Sequence, residues 1–316
     1  MPTTGPPIIV IAGPTASGKS DLGIELSLRF NGEIINSDSV QVYKGLYVAT
    51  AKVPVAEQRG ISHHLIDVVD PVQNFTAGDF ARLAGQKIEE IESRNHLAFL
   101  VGGTGFYLKA LLGGLFEGAP TDQSFRSRVR KILDRRGAAH LHKMLRRVDP
   151  QTAERLSPND WSRTTRALEV YFQTGQRLSA QQHRMPGPPD FARRIHMFVL
   201  NPPREALYDK INRRADAMFA AGLVDEVRAL LDSGVPADAK AFGAHGYRRV
   251  IEYLQSKITL EQCIEQTRLD TRHYAKRQLT WWRNQAQPTW LNGFGNDPAV
   301  IAEATDLVKK LAESFP

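Results

Sequence analysis

One cysteine, Cys263, stands in 316 residues, which excludes an internal disulfide framework and any zinc site built on a cysteine cluster. No apolar run approaches the roughly 20 residues that a membrane-spanning helix needs. The opening Met1-Pro2-Thr3-Thr4-Gly5-Pro6-Pro7 has neither the charged nor the apolar region of a signal peptide. Internal repeats and low-complexity tracts are missing too. A cytoplasmic protein of one large or two modest domains, without a membrane partner, is the expectation. One further absence bears on chemistry. The apolar run Leu97-Ala98-Phe99-Leu100-Val101 ends in Gly102 rather than in the acidic residue that ordinary ATPases place at such a strand end to hold Mg²⁺. That weighs against a molecular motor or a GTPase.

What is present is a phosphate-binding loop. Gly13-Pro14-Thr15-Ala16-Ser17-Gly18-Lys19-Ser20 satisfies G-x-x-x-x-G-K-[ST] in full. It follows the apolar run Ile8 to Ala12 and opens a helical pattern at Leu22, Ile24, Leu26 and Leu28, the strand–loop–helix setting that the motif requires. Glycines let backbone N–H groups turn inward around phosphate oxygens, and a helix N-terminus adds partial positive charge. Lys19 would reach the terminal phosphates, and the Ser20 hydroxyl would ligand Mg²⁺.

The order of elements around this loop predicts an α/β fold, a doubly wound parallel sheet of the P-loop NTPase kind. Strands are expected at Glu33–Asn36, Leu97–Val101 and Ile195–Leu200, with helices over Ala77–Ser93, over Phe106–Leu112, through Leu231, and from Gly246 to Trp282. Asp38 and Thr104 then fall at carboxyl ends of strands, on the rim that carries the phosphate loop. Asp38 could hold Mg²⁺, act as a base on a nucleophile, or merely cap a turn.

Charge is unevenly spread. Of the net +7, residues 121–200 carry 16 Lys and Arg against 7 Asp and Glu, while the remainder is slightly acidic. This middle segment has the texture of basic helices, with Phe125, Val129, Ile132 and Leu133 on one face and Ala167, Leu168, Tyr171 and Phe172 on another. It reads as a helical insertion over 121–193 between two parts of the core, 1–120 and 194–316. A second basic field beside a phosphate loop points to a polyanion such as nucleic acid.

These residues together resemble the tRNA dimethylallyltransferase family. The blocks that carry the resemblance are the phosphate loop, Asn36-Ser37-Asp38-Ser39-Val40-Gln41-Val42-Tyr43, Thr50-Ala51-Lys52, His63 to Asp67, Val101-Gly102-Gly103-Thr104 with Tyr107, Asn159-Asp160, and Arg163 to Val170. Ile211 to Arg214 with Met218, Gly246-Tyr247-Arg248, and Ala275 to Gln278 with Thr280-Trp281 continue it in order over nearly the whole chain. The resemblance implies a Mg²⁺-dependent transferase of the dimethylallyl group from dimethylallyl diphosphate to the 6-amino group of the adenosine 3′-adjacent to the anticodon in tRNA. By the same resemblance Asp38 is the base, Lys19, the loop amides and Arg214 hold the diphosphate, and Ser20 binds the metal. Ser39, Val40, Gln41 and Thr104 line the acceptor side. Arg126, Ser162, Arg163, Thr164, Thr165 and Arg166 on the insertion, with Gly246, Tyr247, Arg248, Lys276 and Arg277, are the expected tRNA contacts, and a monomer is the expected state. Rival readings are prenylation of a free adenine nucleotide and a P-loop small-molecule kinase.

The chain departs from the family's pattern at Ser20 for Thr, at Ala49 for Gly, at Val53 for Pro and at Ser162 for Gln, and Phe242 to His245 is unusual. Ser20 keeps the hydroxyl that Mg²⁺ needs, and Ser162 falls on an expected tRNA contact. His63 and His64 are adjacent in an extended segment, so they face opposite ways and cannot share a metal. Trp281 and Trp282 could stack on bases or pack in the core, Tyr43 and Tyr107 read as structural walls, and Cys263 reads as a small buried apolar residue.

Overall fold

The computed structural model describes residues 5–113, 121–182, 187–285 and 288–314. It divides into two compact units, Met1–Leu112 with Pro189–Pro316, and Gly113–Pro188. In the first unit β1 (Ile8–Ala12) leads through the phosphate loop into α1 (Lys19–Arg29), then β2 (Gly32–Asn36), β3 (His63–His64), α2 (Ala77–Ser93), β4 (Leu97–Val101) and α3 (Gly105–Gly113). The second unit holds α4 (Gln123–Arg136), α5 (Ala138–Val148), α6 (Pro150–Arg155), α7 (Trp161–Thr174) and α8 (Leu178–Gln182). The chain returns with β5 (Ile195–Leu200), α9 (Arg204–Ala220), α10 (Leu223–Asp232), α11 (Tyr247–Leu254), α12 (Leu260–Arg283), β6 (Thr289–Leu291) and α13 (Pro298–Glu313).

Six strands form one parallel sheet in the order β3-β2-β4-β1-β5-β6. A strand covered on both faces needs no polar alternation, and β1 is buried at all five positions. Ile9, Ile11, Phe99, Val101, Phe198 and Leu200 point to the face packed by Leu22 and Leu26 of α1 and by Val300, Ala304 and Val308 of α13. On the other face α2 lies against β2 and β4, and its Phe80, Ala84, Ile88 and Ile91 are buried at helical spacing. Helices on both faces make the sheet doubly wound. In the second unit, Leu145, Ala153, Ala167, Leu168, Val170 and Leu178 build a separate core.

The helical stretch expected from Gly246 to Trp282 is divided in two. It breaks after Leu254, where Ser256 takes a left-handed φ of 56° and Thr259 starts α12 with a capping box to Gln262. The helical run to Leu231 breaks likewise at Gly222, whose φ is 88°. Strands β3 and β6 and helix α13 are additional to the elements that the sequence announces.

Candidate active site

Two close approaches explain the glycines of the phosphate loop. Gly13 has φ 144°, and a Cβ there would stand 3.1 Å from both the Leu200 Cβ and the Leu200 carbonyl oxygen. Gly18 has φ 85°, and a Cβ there would stand 2.9 Å from the Gly295 nitrogen. Gly18 is the N-cap of α1 and supplies no side chain, so the first turn of the helix, with Lys19 and Ser20, borders the crevice directly. The Lys19 Nζ donates to the Pro14 carbonyl oxygen at 2.7 Å. Burial pushes its pKa down to about 8, the Asp38 charge pulls the other way, and Arg214 adds to the depression.

The Gly102 at the end of β4 has a steric cause. A Cβ there would stand 2.2 Å from the Ser37 carbonyl oxygen, so the loop after β2 occupies the space where an acidic side chain would sit. That loop delivers Asp38. Its amide donates to Asn36 Oδ1 at 3.1 Å, and its own Oδ1 accepts from the Val40 amide at 2.9 Å. Among the described residues no hydrogen bond is made to its second oxygen. Thr104 locks the adjoining position, accepting from the Ser39 amide at 3.1 Å. Arg214, on α9, is largely buried, which presses its pKa down, while Asp38 raises it.

Asp38 and Arg214 border two adjoining chambers. The first, about 380 Å³, also takes in Lys19, Ser20, Lys52 and Lys210 and is the polar one. The second, about 180 Å³, is walled by Val40, Ala49, Ile211, Met218 and Tyr274 and is more apolar. A carboxylate thus stands between a cation-lined space and a space suited to hydrocarbon or a flat base. Burial pushes the Tyr274 phenol up and the Asp38 charge adds to it, whereas the Thr104 hydroxyl lowers it. His245 stands over the Tyr274 ring at 4.8 Å between centroids.

Several expected positions come together here: the loop residues Thr15, Ala16, Gly18, Lys19 and Ser20, with Asp38, Ser39, Val40, Gln41 and Arg214. Gln41 lines the polar chamber and not the more apolar one, and donates its amide to the Thr50 and Ala51 carbonyls at 2.9 and 3.2 Å. Within the loop, Gly13, Pro14 and Ser17 are buried and shape it from behind.

Three of the expected tRNA contacts are buried. Thr164 is fully buried in the second unit. Gly246 is buried, with φ 109°, and caps α11. Tyr247 is fully buried, and its hydroxyl donates to Glu226 at 2.6 Å, which also accepts from the Tyr47 and Val48 amides. Arg126 and Arg166 are engaged by the buried Glu169, at 2.9 and 2.6 Å. Burial alone would raise that carboxylate's pKa, but the hydrogen bonds from the two arginines hold it down. Arg163, Arg248, Lys276 and Arg277 are exposed, Ser162 is exposed, and Thr165 bonds its own helix at the Trp161 carbonyl. Trp282 is core, while Trp281 packs its indole against Gly105.

Sequence reasoning assigned no role to Lys52, Gln278 or Tyr274. Lys52 is almost fully buried, between the Tyr43 carbonyl and Asp67 at 2.6 Å, yet lines the polar chamber. Gln278 accepts from the Thr15 amide at 2.8 Å and donates to the Gly103 carbonyl at 3.0 Å, tying the phosphate loop to the turn after β4. A glutamine on the buried face of a helix was the available signal.

The fold and the site define a phosphate-loop α/β protein with a polar, cation-lined chamber beside a more apolar one. A family model described as IPP transferase matches residues 41–285. A tRNA dimethylallyltransferase of Solibacter usitatus is 44% identical over 304 residues, covering 96% of this chain and 98% of that protein. One from Koribacter versatilis is 43% identical with the same coverage. Among solved structures, the full-length tRNA isopentenylpyrophosphate transferase of Bacillus halodurans superposes with TM-score 0.72 at 38% identity, covering 98% of this chain and 97% of that one. A eukaryotic dimethylallyltransferase acting on tRNA gives TM-score 0.79 at 28% identity, covering 99% and 81%. The chain belongs to the tRNA dimethylallyltransferase (IPP transferase) family.

Proposed function

We propose that this protein transfers a dimethylallyl group from dimethylallyl diphosphate to the 6-amino group of the adenosine 3′-adjacent to the anticodon in tRNA. The observation that carries the site assignment is the position of Asp38 on the boundary of the two chambers. The amine nitrogen forms a bond to the allylic carbon as the C–O bond to diphosphate breaks. Negative charge grows on the leaving diphosphate, where preorganised donors stabilise it most. Lys19, Arg214 and the amides at the start of α1 are those donors. The proton leaving nitrogen passes to the unbonded oxygen of Asp38.

Mg²⁺ fits this chamber. Its Ser20 hydroxyl and Asp21 carboxylate are the hard oxygen donors that Mg²⁺ takes. Mg²⁺ is commonly held by few protein ligands together with phosphate oxygens and water. Ser20 would hold it, and it would supply charge neutralisation to the diphosphate. A tRNA substrate and a lone buried thiol suit the cytoplasm, and among the described residues no helix is long and apolar enough to cross a membrane. Incubation with labelled dimethylallyl diphosphate and with labelled ATP, each with and without tRNA, tests the reading. Label must enter tRNA from the first donor only. Transfer to a free nucleotide or from ATP would overturn it.

A further inference from the structure

In the second unit, α4 and α7 border a groove of about 570 Å³, a size that suits a small ligand or one nucleotide. Val129 and Leu133 line it with the cations Arg130, Lys131 and Arg163, and no carboxylate is among the lining residues. Trp161 begins α7 beside it. Its backbone is anchored, because the Asp160 carboxylate caps the helix at the Arg163 amide at 3.0 Å and the Trp161 carbonyl accepts from Thr165 at 2.7 Å. Its indole is nevertheless 43% exposed, and the core of the unit does without it. The Arg130 guanidinium lies 5.3 Å from the ring centroid.

An exposed indole costs free energy in water unless something covers it. Asp134 and Asp160 stand 3.1 and 3.5 Å from Arg130 and Arg163, but these are weak, solvent-accessible pairs and neither carboxylate lines the groove, so its charge selects a polyanion as the cover. A base stacks on an aromatic ring while its phosphates meet arginine and lysine, and only an unpaired base offers a free face. We propose that an unpaired nucleotide of the RNA substrate stacks on Trp161 in this groove, with Arg130 beside the indole and Lys131 and Arg163 on the phosphates. The proposal rests on the tRNA reading above and adds a base-binding position to it.

Two RNAs test it: the anticodon stem-loop, and a duplex of the stem alone. Affinities are measured for the wild type, Trp161→Ala and Trp161→Phe, together with melting temperatures. Trp161→Ala should weaken stem-loop binding about 5- to 150-fold, with Trp161→Phe restoring much of it. Duplex affinity should be unchanged. The dependence of log K on log salt should keep its slope, because stacking neutralises no phosphate. Unchanged stem-loop binding by Trp161→Ala, or an equal loss for both RNAs, overturns the proposal. If the Ala variant unfolds, Trp161→Phe binding the stem-loop no better than Trp161→Leu overturns it instead. Failure of the wild type to bind either RNA would sink the tRNA reading rather than this one.

Discussion

Asp38 commits one oxygen to the Val40 amide and, among the described residues, keeps the other without a hydrogen bond, so turn-making and proton acceptance are separable. Asparagine can serve the Val40 amide, but its amide cannot take a proton from the amine. Asp38→Asn should therefore melt like the wild type and lower single-turnover rates by roughly 10²–10⁴ at saturating substrates. Recovery of the rate with extra Mg²⁺ would make Asp38 a metal ligand instead. Lys19 sets a second test at the same scale. With a pKa near 8 in the free protein, it is half neutral at that pH, and a bound diphosphate must draw its proton back. Donor affinity should fall about tenfold between pH 7 and pH 9. Calorimetry in buffers of different ionisation enthalpy should detect proton uptake that Lys19→Met abolishes. In the free protein the sign reverses: the depressed pKa costs stability at neutral pH, and the cost shrinks as pH rises from about 8 toward 10.5.

At the scale of elements, the two-residue strand β3 needs an explanation, since so short an edge makes few ladder bonds of its own. Glu33 at the start of β2 supplies it. Its carboxylate lies 2.6 Å from His64 Nε2 on β3 and 2.7 Å from His96 Nδ1, and it takes the Arg94 guanidinium as well. Burial alone would raise its pKa, but hydrogen bonds from His64, His96 and Arg94 hold it at about 2. Stability from Glu33 is thus complete above the usual carboxylate value of 4.5 and is lost as pH falls toward 2. Glu33→Gln should cost about 2–4 kcal/mol in urea titrations at pH 7, and the variant should lose less than the wild type between pH 5 and pH 3. The strands β1, β2, β4 and β5 and the helix α2 were legible because each is long enough to show a period or an unbroken apolar run. Strands of two and three residues show neither. Lys19 and Asp38 stand out in the sequence as chemistry and Arg214 only through the family resemblance, and the structure brings the three to one crevice. The burial of Gly246 and Tyr247 was not legible, because a motif shows which residues recur together and not which face they turn. Tyr247 in fact serves Glu226 in the core, and Gln278 braces the phosphate loop from 263 residues further along the chain.

Across the whole molecule, the diphosphate chamber is served by cations of the first unit, Lys19, Lys52, Lys210 and Arg214, whereas the excess of basic residues lies in 121–200. On the proposed reading, two anionic substrates are met by two sets of charges in different surroundings. The first set is partly buried, where salt screens less, and exposed members of the second such as Arg163 stand in solvent, where screening and counterion release dominate. Raising salt from 50 to 200 mM should weaken tRNA binding by orders of magnitude and donor binding only slightly. Which arginines carry the slope follows from their partners. The Arg163 side chain is 74% exposed and only 3.5 Å from the shallow Asp160, so it can turn to a phosphate. Arg126 is held in two hydrogen bonds by Glu169, whose side chain has no exposure at all. Neutralising Arg163 and Lys131 together should lower the slope of log K against log salt by about 0.7–0.9 for each phosphate left without its cation, with no change in melting temperature or in donor affinity. Arg126→Ala should act differently. It leaves a buried carboxylate with less compensation, and destabilises the second unit by about 3–5 kcal/mol. Its effect on tRNA then appears as a loss of folded protein at unaltered slope. Salt titrations of the two variants, run beside their melting curves, separate a surface that binds RNA from an ion pair that holds the surface in place.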